Sequence, residues 1–457
     1  LYSEFSNDTY SLVRLPQPAA PVTPALAQFH PALLAPRSSD TGEVATYLRA
    51  WRSGLEVASN FTVHSYHPKL QLDYIAPPSI AVGVSNFGTA LGGGTALHFS
   101  DLLGYRNLTV AVESLSFSGG SGFVNNLAGS AIYTDEHHRW TWGFGGGQTP
   151  FATGAFGVTT GIVNGRAVAQ TQQITEWELD RQAIGILAYP FSRAQRVEFT
   201  GGYENIGFAA RQQTQVVDLT TGTLLTDTYE NLPAPPALNF AVATAALVYD
   251  TSIFGGTSPI RGQSYRLQVG ENAGSIDFEN TLVDYRRYLG MTPSLSLAGR
   301  ILTYGRYGPG ADDPRLQDLF LGYPSLIRGY DFNSFSPQEC GAGFDTTGSC
   351  PALDRLLGSK IAALNLEARL ELTGPLGVYN NEHIPPIELA PFFDAGAAWT
   401  AALKPDFLGG SRRPVSSEGI TLRANAFGYV VISLSYAIPN DRPLRSHVWE
   451  FSLLPGF

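Results

Sequence analysis

The chain has 457 residues, of which 44% are apolar and only 15% charged, with 49 Gly, 26 Phe, 21 Tyr and a single Met. Soluble domains carry about 25% charged residues, so this mixture disfavours a helical core of Leu, Met and Ala and suits many strands joined by tight turns. The net charge of -10 and the lack of any basic run exclude a nucleic-acid-binding face.

No apolar run is long enough to cross a bilayer as a helix. The strongest, Ala237 to Tyr249, is broken by Asn239 and Thr244. A membrane location therefore demands a closed barrel, since only helices and closed barrels satisfy their backbone polar groups in lipid.

Taken in chain order, residues 1–68 stand apart. No secretory signal is visible at Leu1, so an exported barrel would be represented here by a mature form or a fragment. Leu1 to Leu15 can hold one or two strands. A tract with Pro16, Pro18, Pro21, Pro24, Pro31 and Pro36 reads as an extended linker, and a short helix is expected over Glu43 to Trp51.

From Lys69 to Phe457 the pattern becomes period two, in segments of about ten residues bounded by Gly, Asn, Asp or Pro. Leu70, Leu72 and Tyr74 alternate with Gln71 and Asp73. Trp140, Trp142 and Phe144 alternate with Arg139, Thr141 and Gly143. Leu364, Leu366, Ala368, Leu370 and Leu372 form one face, against Asn365, Glu367, Arg369 and Glu371. Strands are expected near 69–84, 92–101, 106–117, 122–133, 137–147, 173–189, 194–214 and 238–250. They continue near 261–272, 275–290, 293–307, 361–373, 387–399, 418–426, 428–437 and 447–457. The fold class is thus all-β: a sixteen-stranded antiparallel transmembrane β-barrel, with the even number that single-chain bacterial barrels require. The 275–290 strand alternates poorly, because Asp284 and Arg286 fall on its nominal lipid face, which places them beyond the bilayer.

The longest connection runs from Gly308 to Lys360, and a loop of that length inside a compact fold is usually functional or disordered. It holds Cys340 and Cys350 with nine residues between them. A close pair in an exported chain reads as a small disulfide, two free thiols being the alternative. At the C-terminus, Trp449, Phe451, Leu453, Pro455 and Phe457 alternate with Glu450, Ser452, Leu454 and Gly456. Such a stripe ending on an aromatic resembles the β-signal by which outer-membrane barrels are recognised; an ordinary edge strand is the bland alternative.

Three segments carry a family resemblance. In the long loop, Ile327-Arg328-Gly329-Tyr330 resembles the loop motif of the bacterial outer-membrane insertase superfamily, the group of BamA and TamA. Ile260-Arg261-Gly262 repeats part of it but lacks the aromatic and lies before the wrong strand. Pro391-Phe392-Phe393-Asp394-Ala395-Gly396 is similar to the family's thirteenth strand, and Leu366-Glu367-Ala368-Arg369 with the Gly374-Pro375 turn to its twelfth. The resemblance is best over residues 290–457. It implies an extracellular loop folded back into the lumen, with Arg328 held by Asp394 and Glu367 on the barrel wall. Phe392, Asp394 and Gly396 would face the lumen; Phe393 and Trp399 would face lipid. Some family members have a disulfide where Cys340 and Cys350 lie.

The family's POTRA repeats are not seen in this sequence. Leu1 to Leu15 resembles the last blade strands of a TolB-like propeller.

His137-His138, and His64 with His67, lack ligand-spaced partners and read as turn or rim histidines. Gly143 to Gly147 sits in a strand with no helix following, so it is not a phosphate loop. Asn7, Asn60 and Asn107 head chance Asn-x-Thr triplets. No catalytic grouping, metal site or cofactor is expected.

Three functions follow. The first is outer-membrane protein assembly or translocation, through a weak seam between about Lys69–Val84 and His447–Phe457 where Pro77-Pro78 and Pro455 interrupt pairing. The second is a non-enzymatic anchor for a periplasmic or surface domain and its partner proteins. The third is a passive porin, which a plugging loop argues against. Outer-membrane lipid, lipopolysaccharide and protein substrates are the partners implied, in a Gram-negative-type bacterium.

Overall fold

The computed structural model describes residues 2–6, 9–13, 65–77, 79–85, 88–117, 126–163, 165–340, 350–381, 383–426, 428, 430–442 and 444–455. The chain divides into two units, Leu1–His67 and Pro68–Phe457. In the first, β1 (Tyr2–Ser6) and β2 (Thr9–Val13) form an antiparallel hairpin with Tyr2 opposite Val13. The expected Pro-rich linker and the helix over 43–51 lie outside the described residues.

The second unit is antiparallel sheet in which neighbours in sequence are neighbours in space. It opens with β3 (Gln71–Ile75) and β4 (Ser79–Ser85), and Pro77 between them has no N–H to give a ladder; both strands pair with β5 (Gly88–Ser100). Then follow β6 (Arg106–Phe117), β7 (Leu127–Asp135), β8 (Thr141–Val163), β9 (Arg166–Pro190) and β10 (Gln195–Asp218). Next, β11 (Leu224–Leu232) and β12 (Leu238–Asp250) both lie along β10, parted by Pro233, Pro235 and Pro236.

The two-residue β13 (Ile253–Phe254) rests on β14 (Pro259–Gly274), which leads to β15 (Phe278–Gly290) and β16 (Leu295–Tyr307). Within the long loop β17 (Leu319–Phe320) pairs with β18 (Leu357–Gly358). The wall resumes with β19 (Lys360–Gly374), the short β20 (Tyr379–Asn380), β21 (Ile387–Trp399), β22 (Val415–Ala426), β23 (Val430–Pro439) and β24 (Val448–Pro455). The ring order sets β24 beside β3. From β5 round to β24 each long strand shares a residue-by-residue register with the next long strand; among the described residues no register is defined between β24 and β3.

Alternation sorts the side chains. Leu297, Ile301, Leu364, Leu366, Phe393, Ile420, Leu422 and Leu434 are exposed on the outer face. The inner face of the same strands carries Asp284, Arg300, Glu367, Asp394, Thr421, Arg423 and Glu450, largely buried against one another and the loop. So many bulky apolar groups on the outside of a charged interior are what a lipid-facing wall requires. The long loop packs on these strands at two places. Its Ala311 and Leu316 pack with Ile206, Leu238, Phe240 and Phe278 on one stretch of wall. Its Leu321, Ile327, Tyr330 and Leu356 pack with Ile361, Ala363, Ala398 and Val415 on another.

Four expectations are corrected. The strands expected at 137–147 and 173–189 are one far longer hairpin, 23 and 25 residues in β8 and β9, where about ten suffice to span. Its turn uses Gly165 at φ +76°, a left-handed conformation suited to glycine. The Thr- and Gln-rich extensions lack the bulky apolar stripe that marks a lipid-facing strand, so periodicity under-reads them. Likewise β11 was unexpected, since Asp227, Thr228 and Glu230 hide its strand character. Third, Asp284 and Arg286 lie on the lumen face rather than beyond the bilayer: Asp284 bridges Arg286 and Arg300, and it is Tyr285, Arg287 and Leu289 that face outward. Finally, Trp399 is buried instead of facing lipid, because it ends β21 with the Phe407 ring edge-on to its own.

Replacing Ile301, midway along β16 and outward-facing, with Arg is expected to destabilise the barrel by about 2–4 kcal/mol in lipid. Denaturant titrations of refolding into vesicles measure this, and an unchanged midpoint would show that the face does not contact lipid.

Candidate functional site

The interior of the β16–β24 wall is built around one loop arginine. Asp394 is placed inward by the strict alternation of β21, and Glu367 by that of β19, two strands that pair with Asn365 opposite Asp394 and Glu367 opposite Phe392. Into that corner comes Arg328. Its Nε and Nη2 donate to the two oxygens of Asp394, each at 2.8 Å, and its Nη1 donates to Glu367 Oε1 at 2.7 Å and Thr421 Oγ1 at 3.1 Å. The backbone N–H of Arg328 also donates to Asp394, at 3.2 Å.

The guanidinium carbon sits 3.5 Å from the centre of the Phe392 ring. Asp394 is fully buried and Arg328 nearly so. Burying such charges is costly unless geometry and hydrogen bonds compensate. Here the planar fork meets one carboxylate bidentately, a second carboxylate and hydroxyl take the remaining donors, and the ring face covers the cation.

The neighbours of Arg328 are held separately. Ile327 is fully buried, with its Cδ1 lying where a side chain at Gly396 would begin, so the small residue in β21 makes room for the loop. Gly329 has φ +88°, and a Cβ there would meet Ala437 and Pro439 of β23 at 3.2 and 3.4 Å; both the conformation and the close approach favour glycine. Tyr330 is fully buried as well, and its hydroxyl donates to the Ser416 carbonyl at 2.8 Å and accepts from the Asp441 N–H. Asn365 donates to both the Leu326 carbonyl and Asp394.

The charges continue along the interior. Glu367 also accepts from Arg369 and Arg423, each at 2.7 Å, and Arg423 donates on to Glu388 at 2.6 Å. Glu388 accepts from Thr257 and Ser258, which belong to the turn between β12 and β14 at the opposite end of the barrel from the loop. Asn425 and Arg369 hold that turn through the carbonyls of Gly256 and Pro259. One chain of ion pairs thus links the loop at one end with a turn at the other. Between them lies a cavity of about 340 Å³, lined by Arg300, Arg328, Glu367, Arg423, Ser433 and Glu450 among others.

Cys340 and Cys350 form a disulfide. It closes the segment beside Glu339, whose carboxylate takes Arg442 at 2.9 Å. Burial alone would raise the Glu339 carboxyl, but the Arg442 hydrogen bonds outweigh it and hold the group below its ordinary range. Arg442 stacks on Phe335 and donates to the Gly329 carbonyl at 2.8 Å.

At the C-terminus, Trp449 and Phe451 are exposed on the outer face. Leu453 lies in β24 without a described side chain, and Phe457 lies outside the described residues. Phe393 faces outward, and His137 packs edge-on to His138. Among the described residues no group of His, Cys, Asp and Glu is arranged to hold a metal.

The structure brings together Ile327, Arg328, Gly329, Tyr330, Glu367, Phe392, Asp394 and Gly396. Sequence reasoning missed Thr421, Asn365, Arg423, Glu388, Glu450, Glu339 and Arg442. Strand parity could have supplied Thr421 and Arg423, which alternate with Ile420 and Leu422. No sequence signal marks Arg442, which sits in a short connection.

Residues 243–453 match the Omp85 superfamily domain. Among solved structures, BamA from Haemophilus ducreyi lacking POTRA domains 1–3 is similar over 90% of this chain and 78% of its own, with a TM-score of 0.52 and 13% identity. CdiB from Acinetobacter baumannii is similar over 82% of this chain and 58% of its own (TM-score 0.44, 12% identity). CdiB from Escherichia coli is similar over 86% and 68% (TM-score 0.43, 12% identity). No curated protein matches.

Arg328→Ala leaves Asp394 buried and unpaired, which costs about 3–5 kcal/mol. The variant is expected to lose heat resistance on gels and to expose the loop to protease, and Arg328→Lys is not expected to rescue it because an ammonium cannot fork; wild-type behaviour would refute the assignment. Because the Glu339 carboxyl is depressed, its contribution is complete above the ordinary Glu value of about 4.3 and is lost as pH falls through the lowered one. The native loop should therefore resist protease better than Glu339→Gln at pH 7, and that advantage should shrink only as pH falls below the ordinary Glu range; an advantage that persists unchanged in strong acid would refute the Glu339–Arg442 tie.

Proposed function

Residues 243–453 of this chain belong to the Omp85 superfamily, in a BamA-like barrel, and from that premise we propose that the protein serves outer-membrane protein assembly or translocation in a Gram-negative-type bacterium. The observation that carries the reading is the seam. β3 contributes five residues and β24 eight, whereas β9 and β10 pair along 23 positions. All five residues of β3 are exposed, as are Trp449 and Phe451 on β24. Pro77 lies two residues beyond the end of β3, and Pro455 ends β24. A wall joined this thinly can part there and offer unpaired N–H and C=O groups to an incoming strand.

Setting aside the two-residue β13 and β20, and counting β3 with β4 and β11 with β12 as single passes, gives sixteen. In this reading the 308–359 loop folds into the lumen and is locked by Arg328 on Asp394 and Glu367, bracing the wall while the seam moves. Outer-membrane lipid and lipopolysaccharide surround the barrel, and polypeptides are its cargo. Residues 1–68 act as a periplasmic segment and tether, with Trp449, Phe451, Leu453 and Phe457 as the C-terminal recognition stripe.

A second reading, an anchor for partner proteins, is favoured by the separate N-terminal unit. It needs no moving seam, so one experiment separates the two. A panel of cysteine pairs, one partner in 71–75 and the other in 448–452, is oxidised to lock the seam. Assembly or translocation measured in reconstituted vesicles should fall to background when locked and return on reduction; full activity in the locked barrel would sink the first reading, and no activity in either state would favour the anchor.

A further inference from the structure

Gly329 is gripped on both sides of its backbone by the C-terminal hairpin. Its N–H donates to Glu450 Oε1 of β24 at 2.7 Å. Its carbonyl accepts from Arg442, in the connection between β23 and β24, at 2.8 Å. Its Cα lies against Ala437 and Pro439 of β23, so closely that a Cβ would press on them. Glu450 is 8% exposed and Arg442 2%, so neither contact is an incidental surface bond.

The two contacts differ in what they hold. Arg442 is also fixed to Ser334 and Glu339, all within the loop and its connection. Glu450 is different, because it belongs to the seam strand itself. β24 has a defined ladder with β23, and across the seam it faces the five exposed residues of β3. A carboxylate accepting a buried N–H is stronger than a neutral pair, and an edge strand is the part of a sheet most prone to peel.

We infer that Glu450 is a latch: through the Gly329 N–H it fastens the last strand to the lumenal loop and sets how readily the seam opens. This rests on the seam being the working element. It also gives the loop motif a second task, since Arg328 secures the loop to β19 and β21 whereas the next peptide secures the seam strand to the loop. The second Glu450 oxygen is buried without a hydrogen-bond partner among the described residues and borders the 340 Å³ cavity beside Ser433 and Ser452. The latch therefore has one filled and one open acceptor position, and its release requires breaking a single hydrogen bond.

Glu450 is a positioning residue, and its test reads strand opening rather than insertion. Hydrogen–deuterium exchange is followed for residues 448–455 and, as an internal control, for 387–399, in the intact protein in lipid nanodiscs. Glu450→Ala should speed exchange in 448–455 by about tenfold or more and leave 387–399 unchanged. Glu450→Gln keeps an acceptor oxygen in place and should stay within about threefold of wild type. Should Glu450→Ala fail to assemble, Glu450→Asp withdraws the carboxylate by one methylene and serves the same comparison.

Wild-type exchange in the Ala variant, equal loosening of 387–399, or a Gln variant as loose as Ala would each overturn the latch. Because exchange is independent of cargo, the latch can stand while the assembly reading falls, and the reverse.

Discussion

A guanidinium buried in a protein interior must find anionic and hydrogen-bonding partners in fixed geometry, or its desolvation is not offset. Arg328 meets that condition with Asp394, Glu367, Thr421 and the face of Phe392, and much of the surrounding structure follows. Asp394 and Glu367 must point inward from adjacent strands in one register, so β19 and β21 are held to a single alignment. A slip by one residue would turn both carboxylates toward the lipid side. The loop must then lie deep enough for Ile327 to reach the space left by Gly396.

From this point the charges spread in two directions. Along the interior, Glu367, Arg423 and Glu388 carry the network to Thr257 and Ser258 at the far end of the barrel. Toward the C-terminus, Gly329 passes the loop's position to Arg442 and Glu450. The disulfide at Cys340 and Cys350 adds covalent order near Glu339, the partner of Arg442. A loop fixed at so many points is a brace for the wall. By contrast β3 and β24 bring five and eight residues to the seam, and Glu450 reaches from β24 to the brace.

Much of this was legible before any coordinates. Alternation located nearly every strand of the wall, because a side chain in a strand faces either lipid or lumen and the two environments select opposite chemistry. It failed where that contrast is missing. β11 and the outer parts of β8 and β9 carry Thr, Gln and Asp on faces that need not meet lipid, so no period-two contrast marks them. It also misread β15, where Leu282 and Tyr288 share the inward face with Asp284 and Arg286 and blur the count. Trp399 illustrates a third limit: parity fixes direction, but a covering element such as the Phe407 turn decides burial.

The sequence by itself determined the all-β class, the order of the strands and the inward direction of Glu367 and Asp394, since these depend on local periodicity. It also singled out Arg328 and its neighbours by their resemblance to a family motif. Only the tertiary structure decided the rest: that Thr421 and Asn365 complete the Arg328 site, that Arg423 and Glu388 extend it to the other end, and that Glu450 and Arg442 close on Gly329. Those contacts join residues 29 to 131 positions apart, as between Asn365 and Asp394 or Thr257 and Glu388. Separations of that size leave no periodic trace, because they are set by how the sheet curls and where the loop descends into it.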